Sequence, residues 1–344
     1  MCGEKSTKYG KRKLVQRFRC LVCKKSFVTK KQRLRSTSGF TQFHHLVTGE
    51  VNRKNLIELN QVCRKTLSVK FKAIFDKFVS AQEVWRVLPP TLTKTNDPWV
   101  LGIDGKWLRR QGVVMIYRDV THHENLFWSF HASESYEAIH TDLQTLTRLL
   151  SNHSPSGIIS DWKGAIVAAV SNFLPNTPHQ RCLAHVVREA KRFLPKRSSF
   201  RAVFVLREIA KELPYIKTEK EARDWKAELI EWEMAYGHLL KERTFSQTEQ
   251  TKTGFKWWYT HGNLRRAWHL LTNDWYPFFV HLDHPLLPNT NNSIEGVNSQ
   301  LKNKLLNHRG MKTLQQVSFL FWYLSFTRTK TKQDLKKIWD VWRT

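Results

Sequence analysis

Residues 99–131 read WVLGIDGKWLRRQGVVMIYRDVTHHENLFWSFH, and this stretch determines the fold prediction. Its three apolar runs predict three consecutive strands, at Trp99–Ile103, Gly112–Tyr117 and Asn125–His131. Downstream, apolar residues recur at helical spacing from about Ser135 to Leu150, and a short buried strand follows at residues 157–160. A second helix is predicted over residues 163–173. The chain therefore has an α/β core in the order three strands, helix, strand, helix.

That element order is the order of a ribonuclease-H-like core. Asp104 closes the first strand and Asp161 closes the fourth, and in this topology the two strands can lie side by side. Carboxylates that end buried strands are costly unless a cation meets them. Hard oxygen ligands suit Mg²⁺ or Mn²⁺, and two such ions about 4 Å apart can stabilise both oxygens of a phosphodiester displacement. A third acid is needed, and Glu295 is the downstream candidate.

Each of the three acids also has an ordinary structural interpretation. Asp104 precedes Gly105 and could begin a tight turn. Asp161 could cap the helix that follows it. Asn292-Ser293-Ile294-Glu295 fits a capping box, in which the acid reaches back to the start of its helix. The residues alone leave these alternatives open.

The composition indicates a polyanionic partner. The 344 residues contain 57 Lys and Arg against 29 Asp and Glu, a net charge of +28, which favours nucleic acid, although a solvated basic surface is the alternative. With 41% hydrophobic residues the chain can bury a full core and form two or three domains. It has no apolar run long enough to span a bilayer and no signal-like N-terminus, so we expect an intracellular protein without membrane contact.

The first 30 residues contain an incomplete zinc-ribbon pattern. Cys20 and Cys23 form a C-x-x-C pair that suits half of a tetrahedral zinc site. Of a second pair only Cys2 is present, and its partner would fall just before Met1. Either the true start lies upstream, or a three-cysteine site binds Zn²⁺ weakly or not at all. Three unrelated thiols in a basic arm are the alternative.

Residues 40–88 predict a helix-turn-helix DNA-binding domain. Two short helical segments are separated by a break near residues 64–66, and the second segment is basic. The second helix of such a motif lies in a major groove, which makes Ser68, Lys70 and Lys72 candidate base readers. An ordinary helical hairpin would have a similar pattern. Residues 89–98, rich in proline, predict a linker.

Several motifs together resemble the Mutator-type superfamily of bacterial insertion-sequence transposases. Gly102-Ile103-Asp104-Gly105 resembles its first-acid motif and Ile159-Ser160-Asp161-Trp162-Lys163-Gly164-Ala165 its second. Asn292–Lys302, continuing to His308-Arg309-Gly310-Met311, resembles the segment around the final acid. Gln180-Arg181-Cys182-Leu183-Ala184-His185 resembles the C-x-x-H element. The match covers roughly residues 98–325. Only the segment around Glu295 is specific for the family by itself, and the other motifs gain weight from their order along the chain.

The resemblance implies a DDE transposase in which Asp104, Asp161 and Glu295 hold two Mg²⁺ or Mn²⁺ ions. Water, and then a DNA 3′-hydroxyl, would attack phosphodiesters without a covalent protein–DNA intermediate. Cys182 and His185 would have a structural or active-site-supporting role. The implied partners are double-stranded DNA, as terminal inverted repeats and target, and further copies of the chain in at least a dimer. The implied location is the bacterial cytoplasm, on the nucleoid.

The resemblance also implies an all-helical insertion between the second and third acids, at residues 186–285, with the core divided into residues 98–185 and 286–344. Trp257, Trp258 and Trp268 accompany cationic residues and could stack on an unpaired base, although tryptophans at helical spacing are more often core. Lys302, Lys304 and Arg309 follow the last acid and could contact the DNA backbone. The rival function is a decayed or domesticated copy that binds terminal repeats without cutting; a nuclease without strand transfer is a third alternative.

Overall fold

A computed structural model describes residues 5–12, 15–27, 37–95, 97–109, 111–151, 153–198, 200–246, 256–306 and 310–344. In these ranges it has a mixed α/β architecture. The strands are β1 (Ser6–Arg12), β2 (Val15–Cys20), β3 (Ser26–Phe27), β4 (Val100–Trp107), β5 (Val113–Asp119), β6 (Glu124–His131), β7 (Gly157–Ser160), β8 (His179–Arg181), β9 (Arg243–Phe245) and β10 (Trp257–Tyr259). The helices are α1 (Thr37–Thr48), α2 (Arg53–Asn60), α3 (Arg64–Asp76), α4 (Ala81–Val87), α5 (Tyr136–Leu150), α6 (Gly164–Phe173), α7 (Leu183–Phe193), α8 (Arg201–Glu212), α9 (Glu219–Tyr236), α10 (Gly262–Thr272), α11 (Tyr276–Asp283), α12 (Asn292–Leu306), α13 (Thr313–Phe326) and α14 (Lys332–Arg343).

The central sheet has five strands in the order β6-β5-β4-β7-β8. β5 pairs antiparallel with both β4 and β6, whereas β7 pairs parallel with both β4 and β8. The four predicted strands are present, and β7 begins and ends at the predicted residues. β8 was not predicted. The first and fourth predicted strands are neighbours, as the element order requires.

One hydrophobic core joins the sheet to helices from both ends of the chain. It contains buried residues of β4–β7, α1 to α6 and α12 to α14. β7 is buried throughout and β4 is buried over its first five residues, which explains their continuous apolar sequences. The helices α1–α4 are therefore packed on the same core as the sheet.

Two hydrogen bonds illustrate how the N-terminal helices are attached to the C-terminal part of the chain. The indole of Trp322 donates to the Ile74 carbonyl at 2.8 Å, and Arg328 donates to the Leu88 carbonyl at 2.8 Å. The predicted linker 89–98 is also held, because Thr91 donates its backbone N–H to Glu124 at 2.7 Å. Residues 40–88 thus share their core with the rest of the protein.

The insertion between β8 and α12 has a core of its own, formed by α7 to α11. The prediction that it is all-helical is wrong at one place, because β9 and β10 form an antiparallel pair. The sequence Trp257-Trp258-Tyr259 in β10 consists of aromatic residues, which favour strands. The buried Gln180 of β8 attaches the insertion to the sheet, since it donates to the Phe278 carbonyl and accepts from the His281 N–H.

Among the described residues, no helix combines the length and apolar character that crossing a membrane requires.

Candidate active site

Asp104 and Asp161 lie next to each other on two parallel strands, Asp104 within β4 and Asp161 directly after β7. The last pair in the β4–β7 register is Ile103 with Ser160, and the two aspartates are the next residues along. Asp104 is only 5% exposed, and the Asp161 side chain is 8% exposed. Burial, followed by the Asp161 carboxylate, raises the pKa of Asp104 to about 7. Two nearby carboxylates with side chains this well buried need positive charge to offset their repulsion.

Neither aspartate has the purely local role that the sequence left open. Asp104 lies inside β4 and not in a turn, although its Oδ1 does accept the Gly105 N–H at 2.8 Å. The N-cap of α6 is Lys163, so Asp161 lies two residues before the cap. Between them Trp162 adopts a left-handed backbone with φ 67°. Lys163 then turns back, and its ammonium lies 3.0 Å from Asp161 Oδ2.

Glu295 lies in the first turn of α12 and reaches toward α7. Its Oε1 accepts a hydrogen bond from Arg188 at 2.7 Å and lies 3.6 Å from His185 Nδ1. One turn later on the same helix, Asn298 donates to Asp104 Oδ2 at 2.7 Å. Residues three apart on a helix are neighbours on its surface, so Glu295 is one turn from a residue that contacts Asp104. The fold thus brings all three predicted acids to one region.

The close approach of α12 to β4 depends on Gly102. A Cβ at this position would lie 2.9 Å from Ile294 Cδ1 and 3.0 Å from Asn291 Oδ1. Asn291 precedes α12 and is 1% exposed, and neither of its side-chain amide atoms has a partner among the described residues. Buried polar groups without partners are costly, so this part of the molecule contains polar atoms suited to a bound ligand.

Cys182 and His185 support this region. Cys182 is buried at the start of α7, and its Sγ accepts the Asn291 N–H at 3.2 Å. Burial raises the pKa of the Cys182 thiol, and burial lowers the pKa of His185, with Arg188 adding to the effect. The ligand atoms of Cys182, His185 and Glu295 lie within 4.8 Å of one another. A protonated thiol and a hydrogen bond to Asn291 fit the supporting role better than a metal site.

Glu134 is a functional candidate that the sequence analysis missed. It precedes α5, and its side chain is 5% exposed. Its Oε2 accepts a hydrogen bond from Trp107 Nε1 at 3.0 Å and contacts the same Lys163 ammonium that Asp161 does. The Glu134 charge also raises the pKa of Asp104, after burial and Asp161. No local pattern marks this residue, because it is 30 positions from Asp104 and resembles part of a helix cap.

The N-terminal cysteines belong to a small three-stranded antiparallel sheet, β1-β2-β3. Cys20 ends β2 and is buried, whereas Cys23 lies in the following turn and is exposed. Cys2 lies outside the described residues. The arrangement is compatible with half of a zinc site, and zinc binding stays a prediction.

The predicted base readers of α3 do not share one face. Ser68 and Lys72 are exposed one turn apart, but Lys70 is about 200° away from Ser68 around the helix. The Lys70 ammonium donates to Gln42 at 2.6 Å and so faces α1. Ser68 accepts a hydrogen bond from Arg53 and donates to the Arg64 carbonyl at 3.0 Å. Of the three, Ser68 and Lys72 are accessible together.

A basic groove of about 850 Å³ runs beside these residues. It lies between α2, α3 and the segment that follows α12. Its lining includes five basic side chains, Arg53, Arg64, Lys65, Lys72 and Lys304.

The predicted backbone contacts after Glu295 have different environments. Lys302 is exposed, and its charge lowers the pKa of Lys106, although burial of Lys106 contributes more. The Lys304 ammonium contacts the Thr48 carbonyl at the end of α1, so its charge already has a partner in the protein. Arg309 lies outside the described residues.

The three tryptophans of the insertion also differ. Trp268 is 7% exposed and stacks on Trp232 with ring centroids 5.0 Å apart, so the prediction that it stacks on a base is wrong. Its place on the apolar face of α10 explains this. Trp257 lies under the Arg243 guanidinium, 4.0 Å from the ring centroid. Trp258, on the opposite side of β10, is 52% exposed and accessible to a base.

Comparison of the sequence with protein-family models and with curated protein sequences gave no match. The assignment of a function therefore depends on the geometry of the site.

Proposed function

We propose that this chain is a DNA transposase that cuts and joins phosphodiester bonds with Mg²⁺ or Mn²⁺ held by Asp104, Asp161 and Glu295. One observation carries the proposal. Asp104 within β4 and Asp161 directly after β7 occupy adjacent positions on neighbouring parallel strands, and burial, followed by the Asp161 carboxylate, raises the pKa of Asp104 to about 7. A divalent cation would remove that cost, because oxygen ligands of this kind are those that Mg²⁺ prefers.

The strand order supports a ribonuclease-H-like interpretation of the core. Three antiparallel strands, a helix, and two strands parallel to the first are the elements that the sequence predicted for that fold, with β8 added at the edge. The insertion between the second and third acids fits the transposase resemblance. The small N-terminal sheet and the helices α2 and α3 would be its zinc ribbon and helix-turn-helix.

Divalent ions at this site would activate the attacking oxygen and stabilise the leaving oxygen. The protein residues would supply positioning. Asn298 donates a hydrogen bond to Oδ2 of Asp104, and Arg188 donates one to Oε1 of Glu295, so both carboxylates are oriented by neighbouring side chains. In the first step, water would attack the phosphorus and displace the 3′-oxygen, which leaves a 3′-hydroxyl on one side and a 5′-phosphate on the other. In the second step, that 3′-hydroxyl would attack a phosphorus of the target DNA, form a new phosphodiester bond and displace the 3′-oxygen of the target strand.

The basic groove supports DNA as the substrate. Four of its basic side chains belong to α2 and α3 or the turn between them, and the fifth is Lys304 of the helix that carries Glu295. Bound DNA would then lie along the groove with its backbone held by lysine and arginine. Such contacts give a steep dependence of affinity on salt.

The test uses labelled duplexes made from the DNA on either side of the coding sequence. We expect cleavage and joining in Mg²⁺ or Mn²⁺ by the unchanged protein and by Asp224→Asn, an exposed aspartate of α9. Asp161→Asn should bind the same DNA without cutting it. Binding without cleavage by all three proteins would instead indicate a DNA-binding protein that has lost catalysis, and cleavage by Asp161→Asn would refute the proposed site.

A further inference from the structure

The Glu134 side chain is buried close to the two aspartates, and one of its two carboxylate oxygens accepts no hydrogen bond from the described residues. Its side chain is 95% buried, since only 5% is exposed. Trp107 and Lys163 both contact Oε2, whereas Oε1 has no hydrogen-bond partner among the described residues. A buried carboxylate oxygen without a partner costs at least about 1–3 kcal/mol. An ordinary structural glutamate would not be expected to leave it so.

Strand β4 makes room for Glu134 Oε1 because Gly105 has no side chain. A Cβ on Gly105 would lie 2.0 Å from Glu134 Oε1, closer than any real contact. Gly105 directly follows Asp104 in β4 and has an ordinary strand backbone, so the close carboxylate is the steric reason for a glycine here. The unused oxygen therefore lies against the backbone of the residue next to Asp104.

Lys163 connects Glu134 to the aspartates. Its single ammonium contacts Asp161 Oδ2 and Glu134 Oε2, and it also counteracts the raised pKa of Asp104. Two carboxylates thus contact one ammonium, beside the buried Asp104. An ammonium is a compact point charge that a divalent ion can replace.

We propose that Glu134 is a fourth carboxylate ligand of the divalent-metal site, and that Lys163 holds the carboxylates together until the metal ion displaces it. This inference rests on the proposed function, because it assumes that Asp104 and Asp161 bind the ion. Trp107 is 44% exposed, so its hydrogen bond to Glu134 is not part of the core. The amide oxygen of a glutamine could accept the same hydrogen bond from Trp107. Glu134→Gln therefore removes the charge of the side chain but keeps this hydrogen bond.

The experiment measures Mn²⁺ binding to the full chain without DNA, by calorimetry and by the electron paramagnetic resonance signal of free Mn²⁺. Glu137→Gln is the matched control, because Glu137 is exposed in the first turn of α5, three residues from Glu134. We expect Glu134→Gln to bind Mn²⁺ at least about tenfold more weakly than the unchanged protein, and Glu137→Gln to bind equally well. Thermal unfolding of each variant establishes that it is folded.

Asp161→Asn separates the two levels of the proposal. If the unchanged protein binds Mn²⁺, Asp161→Asn does not and Glu134→Gln is unaffected, the role of Glu134 is overturned while the aspartate site stands. If the unchanged protein binds no Mn²⁺, both are overturned. Lys163→Gln should bind Mn²⁺ more tightly, since the ion no longer has to displace an ammonium; weaker binding would overturn the role given to Lys163.

Discussion

The substitution Gly105→Ala tests the position of Glu134 without changing any charge. The added Cβ would lie 2.0 Å from Glu134 Oε1 and 2.9 Å from both Glu134 Cδ and Val113 Cγ2. A carbon and an oxygen atom in van der Waals contact are more than about 3 Å apart. Either the Glu134 carboxylate or strand β4 therefore has to move by about 1 Å or more. Since Gly105 has no left-handed backbone, alanine adds no backbone strain there.

The expected cost follows from the contacts that are lost. Moving Glu134 breaks its hydrogen bond to Trp107 and its contact with Lys163, and overpacking of this kind costs about 1–3 kcal/mol. The lower entropy of the unfolded alanine chain offsets about 0.4–1 kcal/mol. We therefore expect the free energy of unfolding to fall by about 1–2 kcal/mol, with Mn²⁺ affinity weakened as in Glu134→Gln.

Gly296→Ala is the matched control, because a Cβ at Gly296 in α12 meets no atom within 4 Å. Alanine there should leave the free energy of unfolding unchanged or raise it by up to about 1 kcal/mol, as expected in a helix. Urea denaturation followed by circular dichroism measures both variants. If Gly105→Ala is as stable as the unchanged protein and binds Mn²⁺ equally well, Glu134 does not lie against β4, and its proposed place beside Asp104 is refuted.

Three further predictions concern other parts of the molecule. Burial raises the pKa of Glu124, but the Thr91 N–H and then Arg328 outweigh this effect and lower that pKa from 4.5 to about 2. A depressed folded-state pKa stabilises the protein above pH 4.5, so Glu124→Gln should lose about 2 kcal/mol at pH 7, and this difference should vanish as the pH falls toward 2; a constant difference in acid would contradict it. Trp268→Ala should cost about 3–5 kcal/mol of stability, because the ring is buried, whereas Trp258→Ala should change stability by less than about 0.5 kcal/mol and reduce only DNA binding. Equal stability losses in thermal unfolding would argue against the two environments. Lys302→Gln should lower the slope of log affinity against log salt for DNA by about one, while Lys304→Gln should change it less because Lys304 contacts Thr48. A larger effect at Lys304, measured by fluorescence anisotropy, would reverse that assignment.

The sheet was the most predictable part of the fold. Short apolar runs that end at an acid predicted both β4 and β7. β7 matches its prediction residue for residue, whereas β4 continues past Asp104 to Trp107. β8 escaped prediction because His179-Gln180-Arg181 is short and polar, and its strand character comes only from pairing with β7. The β9–β10 pair escaped because each strand has only three residues and lies in an insertion that was expected to be all-helical. Strand pairing between distant residues leaves little local signal.

The site was predictable only in part. Asp104 and Asp161 could be placed together because strand order decides which strand ends meet, whereas Glu134 depends on a side chain crossing from the start of α5 to β4. The exposure of individual side chains was also beyond the sequence. Lys70 has the same charge as Lys72, but the helix turns its ammonium to Gln42. Rotation around a helix axis cannot be fixed until its packing partner is known.

The hydrogen bonds of Trp322 and Arg328 to the carbonyls of Ile74 and Leu88 restrict how this protein could change during evolution. Under the proposed function, α1–α4 include the DNA-reading module, and exchanging them as a unit would be one route to new recognition. Here such an exchange would strip the C-terminal helices of their covering residues, because α1–α4 complete the core of α13 and α14. Under the proposed function, new recognition should therefore arise by point substitutions on exposed positions of α3, and recombination joints should fall outside residues 37–95.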